Sequence, residues 1–123
     1  MPDWIRLGAV ELVAQGVESS DSFMRAHVSW AVPLRGLFSL RLGADDELSV
    51  IAPEAASVLD YLRLVEGAEA TRDLFGMLAT GTDIEVALHA LPRPATIESL
   101  DAAWRRWLSA VPTDAILPRN GVR

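Results

Sequence analysis

The stretch Phe23-Met24-Arg25-Ala26-His27-Val28-Ser29-Trp30-Ala31-Val32 decides how the chain is read, because its apolar and polar residues nearly alternate. In an extended backbone successive side chains point to opposite faces. Met24, Ala26, Val28, Trp30 and Val32 would then line one side, and Arg25, His27 and Ser29 the other. Such a strand predicts a sheet with one buried face and one solvated face. The same parity places Trp30 in the core.

Downstream, Pro33 ends this strand, since it has no N–H to give to a ladder and holds Val32 extended. Residues 37–42 alternate again, with Phe38, Leu40 and Leu42 opposed to Ser39 and Arg41. Gly43-Ala44-Asp45-Asp46-Glu47 has hairpin-turn composition, and residues 48–51 return. Three consecutive alternating runs predict an antiparallel meander over 23–51. A further strand is expected over 82–91, where Ile84, Val86, Leu88 and Ala90 oppose Asp83, Glu85 and His89.

Upstream, residues 4–17 fit both periods. Ile5, Ala9, Leu12 and Val13 make a helical stripe after Asp3, whereas Val10, Leu12 and Ala14 alternate as in a strand. Gly8 and Gly16 each cost about 1 kcal/mol inside a helix, and valines favour strands, which tips the reading to a strand over about 5–16. The polar run Glu18-Ser19-Ser20-Asp21-Ser22 reads as the turn that follows it.

Elsewhere the period is helical. Pro53 suits a first helical position and Glu54 the positive end of the dipole, and Ala55, Val58, Leu62 and Val65 form a stripe over about 53–66. Gly67 breaks that helix. A second, about 68–79, carries Leu74, Phe75, Met77 and Leu78 and stops before Gly81. Thr96 caps a third, about 96–110, with Ile97, Leu100, Trp104, Trp107 and Leu108 on its apolar side and Asp101, Arg105 and Arg106 on the other. Burying that apolar side contributes at most roughly 1.5 to 3 kcal/mol per large side chain.

The expected fold is therefore α+β, an antiparallel sheet of about five strands with three helices packed on one face. At 123 residues one core is the natural number, giving a single domain over 1–112 and a tail over 113–123.

Composition narrows the functions. Half of the residues are hydrophobic and 23% are charged, which is globular usage. The net charge of −6 argues against nucleic acid, whose phosphates call for a basic footprint. All 11 basic residues are arginine, which removes Schiff-base chemistry and a P-loop lysine. The absence of cysteine removes disulfides, thiolate nucleophiles and thiolate metal sites, and fits the cytoplasm. No run reaches the roughly 18 apolar residues of a membrane helix. No cofactor fingerprint is present.

The residues able to carry chemistry are few. His27 and His89 both point to the expected polar sheet face, and Glu85 shares a strand with His89 about 13 Å away by strand rise. Only neighbouring strands would unite His27 with that pair as a metal site or general base. Asp45-Asp46-Glu47 lacks the ligand spacing of a calcium loop, and Ser19, Ser20 and Ser22 lack the setting of an activated nucleophile.

The leading expectation is a non-catalytic protein-interaction module of the inhibitor, immunity, dedicated-chaperone or assembly-subunit kind, which meets a basic protein partner through an acidic surface. Its contact residues would be Arg25, His27, Arg41, Asp83, Glu85 and His89 on the polar sheet face. The alternative is a small-ligand-binding or metal-assisted enzyme using His27, His89 and Glu85. A homo-oligomer pairing through the sheet edge comes third.

Overall fold

The computed structural model describes residues 2–39 and 48–110, with backbone alone at 48–50. The described residues form seven α-helices and no strand, which overturns the α+β expectation. In chain order these are α1 (Asp3–Gln15), α2 (Val17–Ala26), α3 (Leu34–Phe38), α4 (Leu48–Glu66), α5 (Ala68–Ala79), α6 (Ile84–His89) and α7 (Ile97–Ala110), with a 3-10 turn at Val28–Trp30. No helix among the described residues is long and apolar enough to cross a membrane.

The organising element is α4. Every residue from Ala52 to Leu62 is buried, the polar Glu54, Ser57 and Asp60 included, so the helix is sheathed on all sides. It begins earlier than expected. Residues 48–51, read as a returning strand, are its first turn, and Pro53 lies inside the helix instead of opening it. Helices α1, α2 and α5 pack directly on it.

Residues 3–15 form α1, where a strand over about 5–16 was expected, because the helical stripe has a partner. Trp4, Ile5 and Gly8 are buried while Val10 is 65% and Val13 89% exposed. Gly8 here permits close approach: a Cβ added to it would stand 2.9 Å from the carbonyl carbon of Ala55 and 2.7 Å from Leu59 Cδ1. What looked like a weak point for a helix is the contact that seats α1 on α4. Gly16, at φ 87°, then turns the chain into α2, and the polar run 18–22, read as a turn, belongs to that helix.

The stretch 23–32 is the main correction. Ser20, Asp21 and Met24 form the buried stripe of α2, which runs to Ala26. Beyond it the alternation has no structural meaning: Val28 and Val32 are half-buried, and Trp30 is 56% exposed, outside the core. The backbone groups that a sheet ladder would have paired find other partners. Trp30 N–H donates to His27 O at 2.9 Å and Ala31 N–H to Val28 O at 3.1 Å. Val32 N–H donates to Glu54 Oε1 and Leu34 N–H to Asp101 Oδ2, both at 2.9 Å. The Arg105 guanidinium reaches the carbonyls of Val28, Ala31 and Val32 at 3.3 to 3.5 Å, held in place by its pairing with Asp101. Side chains of α4 and α7 thus satisfy this segment, as buried backbone groups require.

The remaining strands fail for related reasons. Leu37 and Phe38 close the short α3, whose Leu34 and Leu37 are buried; residues 40–42 and the turn 43–47 lie outside the described residues. The strand expected over 82–91 is α6. Asp83 caps it by accepting from Glu85 N–H at 3.0 Å, and Ala87, Leu88 and Leu91 are buried at helical spacing while Val86 is 58% exposed. Helices α5 and α7 match their expected spans closely. Gly67 and Gly81 flank α5 at φ 92° and 94°. Thr96 opens α7, with its Oγ1 accepting from Ser99 N–H at 3.0 Å and Ser99 Oγ accepting from Thr96 N–H at 2.9 Å. The expected tail 113–123 lies outside the described residues.

Candidate functional site

The polar residues buried in α4 recur every third position, Glu54, Ser57 and Asp60, and so lie along one side of the helix. That side meets α2 and α7. Trp104 Nε1–H donates to Ser57 Oγ at 3.1 Å, joining α7 to the middle of the stripe. At one end Glu54 holds the Val32 amide through Oε1, while its Oε2 is buried with no partner. Burial pushes the Glu54 carboxyl up to about 7, against the Val32 amide and the charge of Arg105, which act the other way.

At the other end Asp60 faces Asp21 of α2. Asp60 is 2% and Asp21 5% exposed. Asp21 lies against Asp60 and Ser57, and its Oδ1 is buried and unpartnered. Two facing carboxyl groups can hydrogen-bond only when one of them carries a proton, since carboxylates only accept. The Asp21 carboxyl is accordingly raised to about 7, first by burial and next by Asp60, while Ser57 and Arg25 pull it down. Asp60 has a counter-charge at hand, with Arg63 Nη2–H donating to its Oδ1 at 2.7 Å.

Above this pair runs a groove of about 510 Å³ between α2, α4 and α7. Glu18, Asp21 and Arg25 of α2, Asp60, Arg63 and Leu64 of α4 and Trp107 of α7 are among its lining residues. Arg25 lies over the Trp107 ring at 5.2 Å, within cation–π range, and Trp107 leans on Tyr61 at 5.4 Å. Leu64 is 55% exposed at the rim.

The residues picked out by sequence scatter. Arg25 is in the groove. His27 stacks on Trp30 with centroids 4.1 Å apart and touches Phe23 at 4.6 Å, an aromatic cluster at the end of α2. Asp83 is occupied as the α6 cap, and Glu85 pairs with Arg35 at 3.5 Å. Glu85 and His89, far apart on a strand, are one helical turn apart on α6 and border another cavity of about 510 Å³, whose lining does not include His27. Arg41 lies outside the described residues. The common polar sheet face expected for these six residues does not form among the described residues, nor does a sheet edge for a second copy to join. No group of three or more His, Asp or Glu among the described residues is placed to hold a metal ion.

Sequence reading missed Asp21, Ser57 and Asp60. The signal was present in Glu54-Ala55-Ala56-Ser57-Val58-Leu59-Asp60, where polar residues three apart interrupt an otherwise apolar helix. Comparison with protein-family models, with curated proteins and with solved structures finds no match, so the functional reading rests on the geometry of these residues.

Proposed function

We propose that the domain is a non-catalytic protein-binding module, acting in the cytoplasm, and that the groove between α2, α4 and α7 is its contact surface. The observation that carries this reading is the pairing of Leu64, 55% exposed, with the Arg25–Trp107 stack along one charged groove. Exposed apolar area beside Trp and Arg is the composition from which interface hot spots are built. The net charge of −6 supports a basic partner, steered by long-range attraction, with an apolar side chain to cover Leu64 and Trp107. The cysteine-free sequence supports the cytoplasm. A catalytic use of Asp21 is disfavoured because its unpartnered Oδ1 is sealed from solvent and so from substrate.

Leu64→Asp tests the surface without disturbing the core. The immobilised full chain should retain a basic protein from its own lysate more strongly at low salt than at high salt. The variant, with an unchanged circular dichroism spectrum, should retain about tenfold less of that protein. Equal retention by both proteins, or no specific retention by the wild type, contradicts the reading.

A further inference from the structure

Asp21 and Asp60 come from different helices, are both buried, and line the same groove where α2 packs on α4. Only Asp60 has a guanidinium bonded to it. Arg25, the nearest cation on α2, is committed to the Trp107 ring, and its Nε is buried without a partner. We infer that a single proton held on Asp21, facing the Arg63-paired Asp60, latches α2 onto α4, so that α2, one wall of the groove, is held closed below neutral pH and loosens above it.

The inference rests on the groove being the binding surface, because it makes partner affinity depend on the same proton. Without the proton, two negative charges would oppose each other in a setting where water cannot screen them, a situation that buried carboxyl pairs avoid by keeping one member neutral. The groups facing Asp21 are few. On its own helix they are Glu18 and Arg25; from α4 come Asp60, Arg63 and the Ser57 hydroxyl. Helix α7 contributes the uncharged Trp107 ring, and α1 adds no side chain to the groove lining. Arg63 is bonded to Asp60, and Arg25, whose charge favours an ionised Asp21, lies over the Trp107 ring, which it would uncover by moving onto Asp21. Loss of the proton therefore acts on α2 itself, carrying Val17, Glu18, Ser22 and Arg25 away from Leu64 and Trp107.

Hydrogen exchange of the α2 amides, residues 17–26, tests the latch on the full chain with no partner added, so its outcome is independent of whether the groove binds anything. After correction for the intrinsic pH dependence of exchange, wild-type α2 should lose about tenfold in protection between pH 6.5 and 8.5, as release of one proton dictates. Asp21→Asn keeps the shape and removes the charge, and its α2 protection should stay flat over that range. Asp60→Asn should flatten the response from the other helix, covering the case in which the first variant folds poorly. Glu54→Gln, altering a carboxyl at the far end of the stripe, should leave the α2 response intact. Protection independent of pH in the wild type, or an undiminished response in both asparagine variants, overturns the latch.

Discussion

The melting temperature of this domain should fall as pH rises, by about 10 °C between pH 5 and pH 8.5, contrary to the acid lability common in proteins with paired carboxylates. The sign follows from the direction of two shifts. Asp21 goes from 3.8 in the unfolded chain to about 7 in the folded one, and Glu54 from 4.5 to about 7. A carboxyl raised on folding binds its proton more tightly in the native state. Its stabilising contribution is complete below the unfolded value and is lost as pH passes through the folded one. Over this pH window each group contributes at most about 3 kcal/mol, at roughly 1.4 kcal/mol per pH unit. Thermal unfolding followed by circular dichroism across the range checks it. The double variant Asp21→Asn/Glu54→Gln, which retains neutral hydrogen-bonding groups at both positions, should show a nearly flat profile. A wild-type melting temperature that rises from pH 5 to 8.5 would sink the assignment.

Replacing Arg105 by alanine should cost about 2 to 4 kcal/mol, with the damage concentrated in residues 27–34. The guanidinium pairs with Asp101 and donates to the carbonyls of Val28, Ala31 and Val32, while Asp101 in turn accepts from Leu34 N–H. Its removal takes the guanidinium donor from all three carbonyls, of which Val28 O still accepts from Ala31 N–H, and leaves Asp101 without its cation. Arg105→Lys should recover only part of the loss, because one ammonium cannot reproduce the planar fork that spans Asp101 and three carbonyls. Chemical denaturation gives the cost, and exchange at the Trp30 to Leu34 amides locates it. A loss below about 0.5 kcal/mol for Arg105→Ala would show that the segment is held by its own turn and not by α7.

These contacts also explain which parts of the fold were legible. Helices α5 and α7 could be read because their ends are punctuated locally, by Gly67, Gly81 and Thr96, and because their apolar residues keep one period over three or more turns. The failures share a different property. Over seven to nine residues, Ile84 to Ala90 or Met24 to Val32, alternating and helical spacing select many of the same side chains, and what separates them is the fate of the backbone N–H and C=O groups. For 28–34 those groups are answered by Glu54, Asp101 and Arg105, between 22 and 77 positions away in sequence, a dependence that no local window carries. Gly8 misled in the opposite direction, since its cost to an isolated helix is outweighed by the close seat it gives α1 on Ala55. Of the site, Arg25 was picked out, though for a face that does not exist. The carboxyls beside it are hard to read because Asp21 belongs to a run that resembles a turn, and Asp60 to a helix whose apolar stripe dominates its pattern.

The most direct test is the titration of the Asp21 side-chain carboxyl itself, followed by its 13Cγ chemical shift in the full chain. Buried beside Asp60, the Asp21 carboxyl should titrate with a midpoint of about 7. A midpoint near the ordinary aspartate value of about 4 would show Asp21 ionised at neutrality and would contradict the latch.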